Sequence, residues 1–273
     1  MSRLFGFVIN DAQRVACALY PAREALVAES APEGWGLASY QGGEVLLQRH
    51  PKPVAGPLDL YRFAREQRTD YLVGQVRDAS TPAKLENTQP YRFRSWVFAR
   101  SGAVQPGGAE VLEKVPDFLR RNIRGQDPAE GVFHLFLSFL HDSGRLDDPN
   151  IKMADAAAAL ASTLAIAEQK AGGVSAPANL VTTNGRILLA VRAGRPMWTR
   201  RVNGIADCPV CAEKAHEPAR GDRRRISHEH VRAVLLVSDP AKTADLAMEE
   251  IPDRSIVGIS RDLEQTVRPL SPL

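Results

Sequence analysis

The chain is poor in several features that would assign it to a class at once. It has only three cysteines in 273 residues, too few for a disulfide-stapled scaffold, and a chain this long buries a core without staples. An odd cysteine count, with no basic stretch and apolar core of a secretory leader in MSRLFGFVIND, leads us to expect a reducing, cytoplasmic setting. No run approaches the ~18 apolar residues of a membrane helix, so no membrane partner is expected. Charge of one sign is also lacking. Lys and Arg number 35 against 32 Asp and Glu, a formal net of +3, too slight an excess to predict a nucleic-acid partner. No repeat of 20–50 residues is visible, which excludes solenoids and propellers. What remains is ordinary globular composition, 44% hydrophobic and 25% charged.

Strand and helix patterns are grouped along the chain. Residues 4–9 read as a buried strand close to the amino terminus. A short helix is expected over 22–29. Strands are expected over 35–40 and 44–50, joined at Gln41-Gly42-Gly43. A helix over 58–67 and strands over 71–77 and 92–100 follow; the last carries apolar groups on both faces, as a strand covered on two sides would. Helices are then expected over 109–121, 128–141 and 151–171, with Pro128 at a first helical position. Strands return over 179–183 and 186–192, around an Asn184-Gly185 type I′ signal, and over 197–202, 231–237 and 255–259. The stretch 207–229, polar and basic with Arg223-Arg224-Arg225, reads as an exposed loop. Strands, then helices, then strands with hairpin connections predict an α+β fold of antiparallel sheets. A single domain over 2–273 is expected, with the last strands pairing back onto the first.

Residue 2 carries the first candidate chemistry. Removal of Met1 leaves Ser2 with a hydroxyl nucleophile and an α-amine on one residue, and the amine, with a pKa of ~7.7–8.0, can serve as general base. The strand that follows would pin this terminus inside the fold.

Further stations follow in order: Glu33-Gly34-Trp35-Gly36, then Gln75-Val76-Arg77-Asp78-Ala79-Ser80, Asn87 through Tyr91, Trp96 through Gly102, and Asp127-Pro128-Ala129-Glu130. With the opening Ser2-Arg3-Leu4-Phe5-Gly6, this set resembles the class II glutamine amidotransferases of the N-terminal-nucleophile (Ntn) hydrolase superfamily. Their stand-alone members open on Cys-Arg-Leu and carry Asp-Gly-Trp-Gly, His-(Val/Ile)-Arg-x-Ala-Thr, Asn-x-His-Pro-Phe, Trp-x-Phe-x-His-Asn-Gly and Thr-Asp-Ser-Glu. The resemblance covers roughly residues 2–140, and more loosely Ala233 through Pro240. It implies a four-layer αββα sandwich of two antiparallel sheets. It also implies Ser2 as nucleophile, Ser101 and Gly102 at the oxyanion, and Arg77 on a substrate carboxylate, with Ser80 beside it. The family's amine-binding Asp falls on Pro128, leaving Asp127 as the nearest substitute. The family's first two motif histidines fall on Gln75 and Gln89.

Two functions are therefore expected. One is an amidohydrolase that uses Ser2 on a glutamine-like or other carboxylate-bearing amide and passes any ammonia to a separate acceptor or synthase protein. The other is a catalytically degenerate ligand-binding or scaffold protein on the same fold. A serine in place of cysteine removes a partly ionised thiol, and loss of an oxyanion donor is worth ~10²–10³ in rate. No cofactor is expected. Cys208-Pro-Val-Cys211 is half of a zinc site, with His216, His228 and His230 downstream; the competing reading is two loop thiols with no metal. Cys17 reads as a core residue, and His134 and His141 as packed or surface residues rather than ligands.

Overall fold

The computed structural model describes residues 3–28, 31–77, 82–102, 108–170, 178–214, 226–240 and 247–270. In chain order the elements are β1 (Arg3–Ile9), α1 (Val15–Leu19), β2 (Val27–Ala28), β3 (Gly34–Gln41), β4 (Glu44–His50), β5 (Leu58–Asp59), α2 (Tyr61–Ala64), β6 (Tyr71–Arg77), β7 (Tyr91–Phe93) and β8 (Trp96–Ser101). They continue with α3 (Gly108–Glu113), α4 (Asp117–Arg120), α5 (Pro128–Asp142), α6 (Met153–Lys170), β9 (Ala178–Thr183), β10 (Leu188–Ala193), β11 (Met197–Ile205), α7 (Pro209–Lys214), β12 (His228–Ser238), β13 (Glu249–Glu250), β14 (Ser255–Ile259) and β15 (Gln265–Pro269).

Among the described residues, one sheet has the order β13-β11-β12-β1-β6-β3-β4 and a second the order β15-β14-β10-β9-β8-β7. All pairings are antiparallel, and β1 sits between β6 and β12, so the last long strand does close on the first. The two-residue period of a strand sorts side chains into layers. Leu4, Val8, Tyr71 and Val73 of the first sheet meet Val97, Ala99, Val181 and Leu188 of the second in a middle core. The opposite faces of the same strands, Phe5, Phe7, Ile9 and Val231, pack under α1, α2 and α7. Trp96, Phe98, Leu180 and Leu189 pack under α5 and α6. Helix, sheet, sheet, helix is the four-layer α+β sandwich. No helix among the described residues is long and apolar enough to cross a membrane.

Several local expectations differ from the structure. The first helix lies at 15–19 and runs into a 3-10 segment, Tyr20–Leu26, instead of occupying 22–29. The expected strand 92–100 is a hairpin, β7 and β8, because Arg94 takes a left-handed φ of 53°. The turn between β9 and β10 is not type I′. Asn184 Oδ1 accepts from the N–H groups of Arg186 and Ile187, which makes a four-residue connection between the paired Thr183 and Leu188. Within the stretch expected as an exposed loop, residues 209–214 are helical and Cys208, Val210 and His228 are buried. His216 and Arg223 through Arg225 lie outside the described residues.

Candidate functional site

The site is built where β6 and β8 end, one strand from each sheet. Side chains at odd positions of β6 face the other sheet, as Tyr71 and Val73 do, which sends Gln75 and Arg77 the same way. On β8, Val97 and Ala99 face inward, and Ser101 continues their row. All three are buried: Gln75 is 3%, Arg77 5% and Ser101 0% exposed. The ends coincide because β3 crosses both. Its far end places Tyr40 against the Ser95 carbonyl at the start of β8 (2.7 Å). Its near end pairs Gly34 with Arg77 and lays Gly36 on the Gln89 carbonyl. A Cβ at Gly36 would overlap that carbonyl oxygen, so the Gly-Trp-Gly motif is a close approach of backbones and not merely a turn. Arg77 Nη1 donates to the Glu33 carbonyl at 3.2 Å. This ties the strand end to the loop before β3.

A polar bracket stands behind this space. The Gln89 amide donates to Asp127 Oδ2 (3.0 Å), while Gln89 Oε1 accepts from the Arg100 N–H (2.5 Å). The Tyr91 hydroxyl donates to the same Asp127 oxygen at 2.7 Å. Asp127 Oδ1 caps α5 by accepting from the Ala129 N–H. Burial, reinforced by Asp127, raises the Tyr91 hydroxyl well above its ordinary value, so it stays a donor. Burial pushes the Arg100 guanidinium down to about 10, against the opposing pull of Asp127. Glu130, the last residue of its motif, has its pKa raised by burial and accepts from the N–H groups of Arg124 and Gly125. It closes the loop before α5 and does not reach the interlayer space through these bonds.

The predicted residues thus divide. Arg77 and Ser101 are the buried last residues of β6 and β8, with Gly102 (φ 92°) next after Ser101. Asp127 sits at the end of α5 with three hydrogen bonds already made. Ser2 and Ser80 lie outside the described residues; β1 is described from Arg3, which pairs with Val76, the neighbour of Arg77. Two buried atoms, Gln75 Oε1 and Ser101 Oγ, have no hydrogen-bond partner among the described residues. Three contributors were not read from the sequence. Arg100 and Tyr91 act through the bracket. Ser238 Oγ accepts from the Leu4 N–H at 2.9 Å and holds the start of β1 at the end of the β12 ladder. Its only sequence signal is the loose likeness of Ala233 through Pro240.

A separate cluster lies at the other end of the first sheet. Cys17, Cys208, Cys211 and His228 bring their Sγ and imidazole nitrogen atoms within 4.8 Å of one another. Burial, with the neighbouring Cys208 and Cys211 thiols adding to it, pushes the Cys17 thiol up to about 12. Cys17 is a core residue, as expected, but it is also a member of this cluster. His216 lies outside the described residues, and His230 turns instead to Asp11, 2.9 Å away.

Comparison with known proteins agrees with the architecture. A glutamine aminotransferase class-II domain protein from Silicibacter pomeroyi superimposes with a TM-score of 0.57 at 17% identity, over 99% of this chain and 100% of that one. A predicted glutamine amidotransferase from Pseudomonas aeruginosa gives 0.57 at 16% identity, over 97% and 100%. The glutamine phosphoribosylpyrophosphate amidotransferase of B. subtilis gives 0.55 at 13% identity; 98% of this chain is covered but only 49% of that longer one. At such identities the likeness establishes the fold alone. No curated protein matches the sequence. The sequence profile of the glutamine amidotransferases class-II, however, matches residues 1–208 of the 273, and the chain therefore belongs to that family.

Proposed function

We propose that the chain is an amidohydrolase of this family whose nucleophile is Ser2, exposed by removal of Met1, and whose substrate is a small amide bearing a carboxylate. The reading takes residues 2–273 as one domain. The observation that carries it is the convergence of Gln75, Arg77 and Ser101 between the sheets, with the Ser101 hydroxyl buried and unpartnered among the described residues. Alternation along β1 supports it, since Ser2 shares the parity of Leu4 and Val8, which face that space.

The chemistry would run as follows. The α-amine takes the Ser2 proton as Oγ adds to the amide carbon. The Gly102 N–H and the Ser101 hydroxyl meet the oxyanion, and Arg77 holds the carboxylate. The C–N bond then breaks, the leaving amine takes the proton back from the α-ammonium, and an ester remains on Ser2. Water, deprotonated by the α-amine, releases the acid and restores the serine.

The three bonds made by Asp127 bear on the substrate. A carboxylate occupied by Gln89, Tyr91 and the helix cap is poorly placed to take an ammonium. The favoured substrate is thus the ω-amide of a dicarboxylic acid without a free α-amine, and glutamine itself should be the poorer one. Ammonia is released or handed to a separate acceptor or synthase protein.

The test is ammonia release from glutaramic acid and from glutamine, by protein whose intact mass shows Ser2 as the first residue. Activity should favour glutaramic acid and vanish in Ser2→Ala. An alanine variant as active as its parent sinks the reading. The second reading, a binding protein without turnover, is favoured by Gln75 and Gln89 standing where the family has histidine. Saturable binding of glutaramic acid without ammonia release would select it.

A further inference from the structure

We propose that Cys17, Cys208, Cys211 and His228 form a closed site for one zinc ion, which fastens the β11–β12 connection to α1. All three cysteines of the chain gather here, although position 17 is separated by most of the sequence from 208 and 211. Each ligand comes from a different local context. Cys17 lies in α1, Cys208 immediately before α7, Cys211 inside α7, and His228 is the first residue of β12. The Cys208 N–H donates to the Ile226 carbonyl and its carbonyl accepts from the Ala212 N–H, so both ends of the connection are fixed before any ion binds.

The distances suit a tetrahedron. Zinc–sulfur bonds of ~2.3 Å and a zinc–nitrogen bond of ~2.05 Å put tetrahedral sulfurs about 3.8 Å apart, and sulfur and nitrogen about 3.6 Å apart. Cys17 Sγ and Cys211 Sγ are 3.6 Å apart, and Cys211 Sγ and His228 Nε2 are 3.3 Å apart. A disulfide would need sulfurs ~2.0 Å apart and would leave one cysteine and the histidine with no role. Four protein ligands leave no open position, and Cys17, Cys208 and His228 are at most 5% exposed, the arrangement of a structural rather than a catalytic site. Three thiolates with one Zn²⁺ and a neutral imidazole carry one net negative charge. Arg14 supplies the balancing cation, with Nη1 at 3.5 Å from Cys211 Sγ.

The cluster is remote from the interlayer site. Ser238 marks the Leu4 end of β12 and His228 the opposite end, ten residues or roughly 33 Å of strand away. Cys211 and His228 also fall beyond the residues that the family profile matches. Two of the site's four ligands thus come from outside the matched segment.

The experiment is metal analysis of the full chain, purified under reducing conditions without chelator from zinc-supplemented culture. It should carry about one zinc per chain. Chelation should lower the melting temperature, and Zn²⁺ but not Mg²⁺ should restore it. Co²⁺ added to the stripped, reduced protein should give the thiolate charge-transfer and intense visible bands of tetrahedral cobalt, lost in Cys211→Ser and in His228→Asn. Should those variants fail to fold, the cobalt spectrum of the parent decides. Absence of metal together with absence of that spectrum overturns the proposal. A Cys17–Cys211 disulfide in the freshly purified protein overturns it as well, and iron in place of zinc overturns the identity of the ion.

Discussion

The two ends of the first sheet are built in opposite ways. At the Arg77 end the family framework is kept and the reactive groups are changed. Strand ends, the Gly36 approach to Gln89 and the Asp127 cap are in place, while the resemblance sets Gln75 and Gln89 at stations where the family carries histidine and Ser101 where it carries asparagine. At the His228 end a full set of four donors is gathered, and two of them, Cys211 and His228, lie beyond the family match. One end holds polar atoms with no partner among the described residues, as a site awaiting a ligand does; the other holds four donors close together, as a site built for stability does. Changes to the reactive groups at the first end should then cost activity and spare stability, whereas changes to the bracket behind them, or to the four donors at the second end, should cost stability first.

Among changes to the described residues, the largest effect should come from Ser101→Ala. Loss of an oxyanion donor should lower kcat by ~10²–10³. Stability in a urea titration should stay level or rise, because the hydroxyl is buried without a described partner and its removal ends a desolvation cost. A variant that loses stability and keeps its rate reverses the roles assigned to this end. Next is Arg77→Ala. A charge-assisted contact of ~1.5–3 kcal/mol corresponds to roughly 10- to 150-fold in kcat/KM for carboxylate-bearing amides. Simple amides without a carboxylate should be untouched, and equal losses on both substrate types would remove Arg77 from the binding site.

Asp127→Ala should act mainly on stability. It removes the α5 cap, worth ~1 kcal/mol, and strands the Tyr91 hydroxyl and the Gln89 amide at ~1 kcal/mol or more each, for a total of at least about 3 kcal/mol. The KM for glutaramic acid should hold. A large rise in the KM for glutamine alone would restore Asp127 to the amine-binding role expected from the sequence.

How much of this could be read in advance depended on whether the cause was local. β4, β6 and β14 match their expected bounds because alternation and flanking turn residues agree there. The β7–β8 turn was missed because Arg94 adopts a left-handed φ with neither Gly nor Asn to announce it. Pro21 and the tight 3-10 turns around it broke the helical period that placed the first helix too late. In the site, alternation made the strand-end positions of Arg77 and Ser101 legible, while their proposed roles came from the resemblance alone. The engagement of Asp127 was not, since Gln89 and Tyr91 lie more than 35 residues away in the chain. Cys17 gave no local sign of its partners. Only the cysteine count pointed there, since the Cys-x-x-Cys pair lacked a third thiol and the chain had one to offer.

The smallest expected effect tests whether the helix layer behind the interlayer site shapes stability through protonation. His134 on α5 is buried between Phe93 and Phe133, and its Nδ1–H donates to the Glu130 carbonyl at 2.9 Å. Nε2 is buried with no described partner, and burial lowers the imidazole below its ordinary value. The folded protein therefore keeps His134 neutral where the unfolded chain takes up a proton. The stability it permits is whole above the unfolded pKa of ~6.5 and drains away as pH falls through the depressed folded value. At pH 6 the loss amounts to at most ~0.8 kcal/mol. Glu130 acts with the opposite sign, because its raised pKa makes protonation favour the folded state. Comparing His134→Leu with the parent at pH 7.5 and pH 6, metal retained in both, cancels the Glu130 contribution. The variant should lose less stability than the parent on acidification. Identical pH dependence in the two proteins would mean that His134 is protonated in the fold, with its Nε2 satisfied, and that this end of the molecule holds one orphaned buried atom fewer.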